Sequence, residues 1–465
     1  MMRRGFLIFF DLKNFFVDKK IIWQDKAIAV IVALSFALSI ILKERGALFG
    51  LFLIPILLSY PYSIADKKII LKNLLSPIYL GFYLLLAIFA FAISWGLFHN
   101  DMISTEKYFD KIFLHGWFVI GRFLLLAIVL SVLWWFFRQK PSAVYVTIGL
   151  TALIALLVMI ALVVMIEMNV LGRHWFRNDQ YSQNVAILFL LLLPFLFYKN
   201  ILVWLCLPFI FLLHLPVMEI DGWIVGYGTA RLWTIGIFMG IILYLLLPII
   251  KHFSKYQRVM LWAGIGLVYL FMIAMFLLGG LFYKPDDPFN HPLLSLVKFI
   301  GFDPTSIKER FKFWHFIFYY IIENPLTGYG LNINRHLLTL DSDYSTMIFS
   351  LIPYHAIKGE CFYINGCAAL NQPHFIWIEL LLDAGILAPM VLFGLFSMVL
   401  WYLLVSNQRP YFYRGAMTFF ITFAFCFILT NSFYAFWQNY IGGIAMVLLL
   451  NHNDNVIKNR KLKKP

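Results

Sequence analysis

Three residues of this sequence, two arginines and a histidine, are candidates to bind an anion and to activate a hydroxyl group. Arg231 opens a long apolar run, and Arg310 and His374 lie in a later stretch of mixed polarity. Guanidinium groups match phosphate oxygens bidentately and stay charged at any working pH. An imidazole with an ordinary pKa of about 6.5 suits general-base catalysis at neutral pH. These residue types point to chemistry on a phosphate- or diphosphate-linked substrate.

Further cations are weaker candidates for the same role. Arg173 and Arg177 flank His174 in a short polar stretch, and Arg122 lies inside an apolar run. Arg122 has an alternative interpretation, in which its long side chain snorkels to the membrane surface. The arginines could equally bind phospholipid head groups. The isolated His374 could likewise be a hydrogen-bonded loop histidine.

The mixed-polarity stretch predicts a helix followed by a tight turn. Residues 306–322 have the pattern of an amphipathic or half-buried helix, and Asn324-Pro325 ends it because proline cannot continue a helix. Gly328 and Gly330 then predict a turn.

A second helix is predicted over IWIELLLDAG, ending near Gly385. Glu379 and Asp383 are four residues apart and share one face, which we interpret as a solvated polar face. Glu379 could orient this helix or assist the reaction. Aromatic residues nearby, Trp314 among them, could stack on sugars, although interfacial belts are their commoner setting.

Composition identifies the class of protein that must position these residues. Of 465 residues, 62% are hydrophobic and 13% are charged, whereas a soluble domain carries about 25% charged residues. This excludes a soluble enzyme and an intrinsically disordered chain. The apolar residues form continuous runs rather than short alternating strands, which excludes a β-barrel. The expected fold class is an all-α polytopic membrane protein.

Twelve apolar runs are long enough to predict about 12 transmembrane helices. They are residues 27–42, 46–64, 75–98, 113–137, 144–166, 184–198, 201–217, 231–250, 259–283, 386–406, 415–433 and 438–450. Three units follow: helices 1–9 in 1–283, a loop domain in 284–385 between helices 9 and 10, and helices 10–12 with a basic tail in 386–465.

The distribution of positive charge predicts the orientation. With the N-terminus inside, the inner segments hold roughly three times as many Lys and Arg as the short outer loops. Both termini are then cytoplasmic and the 284–385 domain lies outside. The net charge of +14 fits a basic inner face, so no nucleic-acid partner is expected. The N-terminal stretch shows no cleavable signal peptide.

Four cysteines divide into two pairs by position. Cys206 and Cys426 lie in apolar runs and are expected to be packing residues. Cys361 and Cys367 lie in the outer domain with five residues between them. An oxidising compartment permits a disulfide between them, and two free thiols are the alternative. No His or Cys cluster has metal-ligand spacing, so no metal site is predicted.

The motifs resemble those of the O-antigen ligase / O-antigen polymerase (Wzy-C) superfamily, most closely the bacterial lipopolysaccharide O-antigen ligases. That family has a His, a polar residue and nine further positions before a glycine pair, and His374 stands at this spacing before Gly385. QPH…IELLLDAGI is similar to HPHN…LELLxExGI, and NPLTGYG matches NPLxGxG after an Arg and a Trp. Thr229-Ala230-Arg231 resembles a TGSR element. Phe375 and Ala388 depart from the pattern.

The resemblance implies a glycosyltransferase of the GT-C type with its active site on the periplasmic face of the bacterial inner membrane. The donor would be a glycan on undecaprenyl diphosphate and the acceptor a sugar of the lipid A-core. Neither a metal nor a nucleotide sugar, nor any other cofactor, is expected. Arg231 and Arg310 would hold the diphosphate, with Arg173, Arg177 and Arg122 as weaker candidates, and His374 would take the acceptor proton.

Several other functions fit the same residues. An O-antigen polymerase or a protein O-oligosaccharyltransferase would use the same donor. A transporter or flippase of lipid-linked sugars would need no base and would place charges along a path through the bilayer. A purely structural membrane protein would not require Arg and His to converge at one face.

Overall fold

The computed structural model of the chain is helical, apart from one short hairpin, over the residues that it describes. These residues are 15–17, 21–42, 49–99, 109–168, 179–196, 201–214, 218–220, 223–225, 231–250, 253–281, 314–315, 317–331, 333, 375–405, 410–430 and 436–451.

Most helices coincide with the predicted apolar runs. In chain order they are α1 (Trp23–Leu42), α2 (Leu53–Leu58), α3 (Ile64–Leu74), α4 (Pro77–His99), α5 (Leu114–Gln139), α6 (Pro141–Glu167), α7 (Asp179–Leu196), α8 (Ile201–His214), α9 (Arg231–Ile250), α10 (Lys255–Leu281), α11 (Ile376–Ala384), α12 (Leu387–Val405), α13 (Pro410–Thr430) and α14 (Phe436–Asn451). A 3-10 helix (Phe49–Phe52) precedes α2, and a π-helical turn (Phe109–Phe113) precedes α5. Strands β1 (Met218–Ile220) and β2 (Trp223–Val225) pair antiparallel.

Three of these helices are clear candidates to cross a membrane. α4, α5 and α6 have 23, 26 and 27 residues and are apolar enough to span. At 1.5 Å per residue they exceed the roughly 30 Å of a bilayer's hydrocarbon core. The helical membrane-protein class is thus confirmed. The number of spans, the GT-C type and the position of the loop domain stay predictions.

The predicted span at 46–64 is wrong as a single helix. Its helical part ends at Leu58, and residues 59–63 are not helical. Pro61 disfavours helical geometry at Tyr60 and lacks the N–H that a helix would use. Ser63 then caps a new helix, α3, by accepting a hydrogen bond from the Asp66 backbone N–H.

Helix α7 forms the centre of the bundle. Its residues 183–195 are all buried, and α1, α8, α9, α13 and α14 pack around it. The apolar sequence VAILFLLLLPFL explains this position, because a helix that is hydrophobic on every side must be covered on every side.

Glycine lets α9 approach α7 and α13 closely. A Cβ on Gly236 would lie 2.5 Å from the Cys426 sulfur, and one on Gly240 would lie 2.5 Å from a Leu190 methyl group. Small residues four apart are the usual means of close helix packing in membranes. Cys426 is therefore a packing residue, as predicted, and this contact fixes the axis of the helix that begins at Arg231.

The directions of α4 and α12 define the two ends of the helix bundle. α4 begins beside α3, and Gly81 near its start faces Leu395 and Met398 in the middle of α12. Because α11, which precedes α12, also packs on α4, the two long helices run antiparallel. The start of α12, with α11 before it, therefore lies at the far end. We call that end the loop end, and the end that carries α3 and Lys140 the basic end.

Side-chain bonds tie four chain segments together at the basic end. Asp25 is 1% exposed and accepts hydrogen bonds from Tyr60 Oη at 2.8 Å and Lys140 Nζ at 3.0 Å. Asp66 accepts a hydrogen bond from Trp135 Nε1 at 3.1 Å. We call this cluster the basic-end joint.

Candidate functional site

The loop end holds two backbone segments that sequence reasoning singled out. Residues 317–323 are helical and the turn after Asn324 includes two positive-φ glycines, Gly328 and Gly330. α11 begins after an extended Phe375 and ends at Gly385, where φ is 67°. The predicted helix end at Asn324-Pro325, the turn and the helix ending near Gly385 are all confirmed.

Backbone hydrogen bonds join these two segments. Tyr329 N–H donates to Leu382 O at 3.0 Å, and Gly330 N–H donates to Asp383 O at 2.9 Å. In return, Ile386 N–H donates to Pro325 O at 2.9 Å. The turn thereby satisfies carbonyls that the end of α11 leaves unpaired. We call this contact, between residues 325–330 and 382–386, the loop joint.

The loop joint requires glycine at two positions. Gly328 has φ 62°, and a Cβ there would lie 2.5 Å from the Ala384 nitrogen. Gly385 has φ 67°, and a Cβ there would collide with the Leu326 carbonyl. Each position needs both the left-handed backbone and the missing side chain. The glycines of the NPLTGYG and DAG sequences are thus the two halves of one contact.

A ring contact extends this arrangement toward the predicted catalytic residues. Trp314 is buried against Phe375, with ring centroids 5.2 Å apart and planes inclined by 31°. Trp314 follows Arg310 by four residues in sequence, and Phe375 directly follows His374. The contact explains the departure from the family pattern at Phe375, since a buried ring there packs on Trp314. It also means that Trp314 does not lie in an exposed interfacial belt.

Tyr329 adds a side-chain bond within the turn. Its hydroxyl donates to Glu323 Oε2 at 3.0 Å, and its ring meets Tyr320 edge-on. Burial is the main reason that the pKa of Tyr329 is raised to about 12; a hydrogen bond with Asn324 opposes the rise, and the hydrogen bond and charge of Glu323 add to it. The hydroxyl therefore stays protonated at physiological pH.

The expectation that Glu379 and Asp383 form a solvated face is wrong. Their exposed fractions are 2% and 0%. α11 lies among α4, α12 and α13 and beneath the loop joint, so all of its sides are covered. Both residues have interaction partners in the protein, as buried carboxylates must.

Arg122 stacks on an aromatic ring of its own helix. Its guanidinium carbon stands 4.0 Å from the Phe118 ring centre, one turn nearer the loop end, which fits a snorkelling side chain. α5 packs on α14, α14 on α13, and α13 on α9. Among the larger contacts between the described helices, α5 and α9 are therefore not direct neighbours.

The remaining predicted site residues divide between described and undescribed parts of the chain. Arg231 is the first residue of α9, as predicted. Cys206 and Cys426 are buried thiols, in keeping with their expected role in packing. Among the described residues no three His, Cys, Asp or Glu side chains are grouped as metal ligands would be. The predicted residues outside the described ranges are Arg173, Arg177, Arg310, His374, Cys361 and Cys367.

Comparison with known proteins bears on the same part of the chain. Residues 220–393 match the family model described as O-antigen ligase. The resemblance to O-antigen ligases is confirmed over this segment. Neither a curated protein nor a solved structure matches the chain. The matched segment runs from β1 into α12 and contains Arg231, Arg310, His374 and the whole loop joint. The match to the O-antigen ligase family indicates an enzyme of ligase or polymerase type.

Two features of the O-antigen ligase segment were missed from sequence. One is the hairpin, whose strands flank Asp221-Gly222, a dipeptide that is a strong hairpin signal. The other is the contact between Trp314 and Phe375, which joins residues 61 positions apart and has no local signal.

Proposed function

We propose that the protein transfers O-antigen glycan from undecaprenyl diphosphate to a sugar of the lipid A-core. The observation that carries this proposal is the contact between Trp314 and Phe375 within the O-antigen ligase segment. It brings Trp314, which follows Arg310 by four residues in the sequence, against Phe375, which directly follows His374. The support is chain connectivity together with the family match.

In the proposed reaction an acceptor hydroxyl oxygen attacks the anomeric carbon of the donor glycan. The new C–O bond forms as the bond from that carbon to the diphosphate oxygen breaks. His374 takes the hydroxyl proton, a service worth about 10² to 10⁴ in rate. Undecaprenyl diphosphate leaves with the bonding electron pair.

Arginines would stabilise the negative charge that develops on the departing diphosphate. Arg231 stands in the first turn of α9, where the helix's unpaired N–H groups and dipole also favour an anion. Arg310 would supply the second guanidinium. Each well-placed group in a water-poor site is worth about 3 kcal/mol. Arg173 and Arg177 are secondary candidates, and the position of Arg122 makes it the weakest.

Trp314 and Glu379 are proposed here as positioning residues. Both side chains are buried. Trp314 packs against Phe375, the residue after His374, and Glu379 lies in α11, which begins two residues after His374. Their burial favours a role in holding α11 over direct contact with a sugar, which was the alternative from sequence.

The proposed setting is the bacterial inner membrane. Twelve spans would place both termini in the cytoplasm and the 284–385 domain, with the active site, in the periplasm. Cys361 and Cys367 would there form a disulfide. Membrane lipids would surround the 1–283 and 386–465 units, the architecture expected of a GT-C enzyme.

One reconstituted assay tests the proposal. Purified full-length protein is mixed with undecaprenyl-diphosphate glycan and lipid A-core in the presence of a chelator, and product is scored by gel mobility. We expect transfer by the wild type and none by His374→Ala or Arg310→Ala, with unchanged membrane insertion. Normal turnover by His374→Ala would remove the histidine from the mechanism, and loss of transfer with chelator alone would contradict metal independence.

A deletion strain separates the ligase from its polymerase sibling, since the family match covers both. Loss of a ligase leaves the lipid A-core without any O-antigen glycan, whereas loss of a polymerase leaves a single repeat attached to it. A protein-directed enzyme would instead leave lipopolysaccharide intact and strip glycan from proteins.

A further inference from the structure

Helix α3 contacts the bundle through one face. Asp66 accepts a hydrogen bond from Trp135 Nε1 at 3.1 Å, and Asn73 Nδ2 donates to Ser131 Oγ at 2.8 Å. Asp66 and Asn73 are seven residues apart and thus share one side of α3. None of the residues of α3 is buried, so the rest of its surface is uncovered within the described structure.

The opposite face of α3 is an apolar strip. Ile64 is 76% exposed, and Leu71 and the adjoining Leu75 are each 57% exposed. At 100° per residue these side chains project within about 40° of one another, roughly 160° from Asp66. Three large aliphatic side chains exposed on one short helix indicate a surface that meets something apolar.

Lysines flank this strip on both sides. Lys67 lies on one side, and Lys68 and Lys72 lie on the other, all with exposed side chains. The ion pair found among the described residues, Lys140 with Asp25, involves none of them. The acid of the helix, Asp66, is turned toward α5. The outward surface of α3 is therefore apolar and positively charged.

The depth of α3 matches the boundary of a membrane. Ser131 lies eight residues before the end of α5 at Gln139, so α3 lies beside roughly the last 12 Å of a membrane-span candidate. The rings of Tyr62 and Trp135 meet at the same level, with centroids 5.2 Å apart. Trp and Tyr collect where head groups begin.

We propose that α3 is an interfacial helix that binds anionic phospholipid head groups through Lys67, Lys68 and Lys72. Its aliphatic strip lies against the acyl chains of the same leaflet, and the lysine stems reach outward to the phosphates. The proposal rests on the membrane-protein class alone and stands or falls independently of the transfer reaction. Each lysine near an anionic surface contributes about fivefold in affinity, or about 100-fold together.

The test uses the full chain in phosphatidylcholine nanodiscs with increasing phosphatidylglycerol. Bound lipid is counted by native mass spectrometry, and thermal unfolding is followed in parallel. We expect phosphatidylglycerol to bind and raise the unfolding temperature, and the Lys67→Gln/Lys68→Gln/Lys72→Gln variant to lose most of both effects. The corresponding triple Arg variant keeps the charge and should keep the binding. Ile64→Ser/Leu71→Ser should weaken binding although every lysine remains.

Two results would overturn the proposal. One is wild-type affinity for phosphatidylglycerol in the triple Gln variant. The other is an equal stabilisation by free glycerol phosphate, which would indicate a soluble-anion site instead of a lipid surface. If the triple variant unfolds in phosphatidylcholine alone, Lys68→Gln serves in its place, with an expected loss of about fivefold.

Discussion

The loop joint and the basic-end joint both hold together segments that are distant in sequence, but they use different chemical groups. At the basic end, Asp25, Tyr60 and Lys140 hold the helices together through side chains. At the loop end, the turn after Asn324 and the end of α11 are held by backbone N–H and C=O groups and by two glycines. The first joint occupies its own ionisable groups, whereas the second is built without them.

This difference bears on where chemistry can take place. A carboxylate and an ammonium already paired to each other are poorly suited to bind a substrate. A contact made by backbone groups needs no ionisable side chain of its own, which suits a site of proposed arginines and a histidine. The two joints should therefore respond differently to substitution: the loop joint in transfer activity, the basic-end joint in stability alone.

The largest effect is expected from Gly385→Ala. The left-handed backbone at this position costs an alanine about 1–3 kcal/mol, and the new Cβ would collide with the Leu326 carbonyl. Since the joint must open to relieve this collision, we expect glycan transfer to fall at least 100-fold. The measurement is the reconstituted transfer assay, with limited proteolysis to report opening near Leu326.

Gly394→Ala is the matched control for that change. Gly394 lies within α12, and a Cβ there would meet nothing within 4 Å. Alanine in a helix interior is favoured over glycine by about 1 kcal/mol, so this variant should be at least as stable as the wild type and fully active. Equal activity of Gly385→Ala and Gly394→Ala would show that the loop joint does not support the site.

The next effect is expected from Phe375→Asn, which restores the type of residue found at this position in the resembled family. The change removes the ring that packs on Trp314 and buries an amide in an apolar contact, at a cost of about 2–4 kcal/mol. We expect lower stability and at least a tenfold loss of transfer. Phe375→Leu is the control, because it keeps an apolar side chain. Improved transfer by Phe375→Asn would mean that a polar side chain acts directly here.

Local sequence signals were enough to predict many of the helices and turns compared above. Proline after Asn324 and glycine at 328 and 385 mark chain breaks through fixed covalent properties, so the helix end and both turns could be placed. The long apolar runs likewise predicted α4, α5 and α6, because a helix that crosses a bilayer needs about 20 apolar residues whatever packs around it.

What the sequence could not reveal depends on packing between distant segments. The pattern of α11 has acids on one side, which alone predicts a solvated face. Glu379 and Asp383 are buried because the turn and three other helices happen to meet there. α3 was missed as a helix because a span was extended through Pro61. The proline, and the Ser63 cap after it, were the available signals.

A smaller effect, confined to stability, is expected at the basic-end joint. Lys140→Met leaves the Asp25 carboxylate buried with Tyr60 as its remaining partner, which should destabilise the protein by about 2–3 kcal/mol. Asp25→Asn should cost less, about 1 kcal/mol, because Lys140 is 42% exposed and can turn to water. The double variant should be destabilised by less than the sum of the two single variants.

Thermal unfolding measures these losses of stability. Glycan transfer per folded molecule should stay at the wild-type level, and a loss of transfer would remove the contrast between the two joints.

The smallest effect is expected from Tyr329→Phe, and it depends on pH. Removing the hydroxyl deletes its bond to the carboxylate of Glu323, at a cost of about 1 kcal/mol. Folding raises the pKa of Tyr329 from 10.0 to about 12, so the protonated phenol stabilises the folded state. That contribution is complete below about pH 10 and is lost as the pH rises toward 12. The unfolding temperature of the wild type should therefore exceed that of the variant at pH 8, and this advantage should vanish as the pH rises from 10 toward 12. Tyr319→Phe, at a position 67% exposed, is the control and should show no such convergence. A difference for Tyr329→Phe that stayed constant up to pH 12 would mean that the hydroxyl contributes through packing and not through its proton.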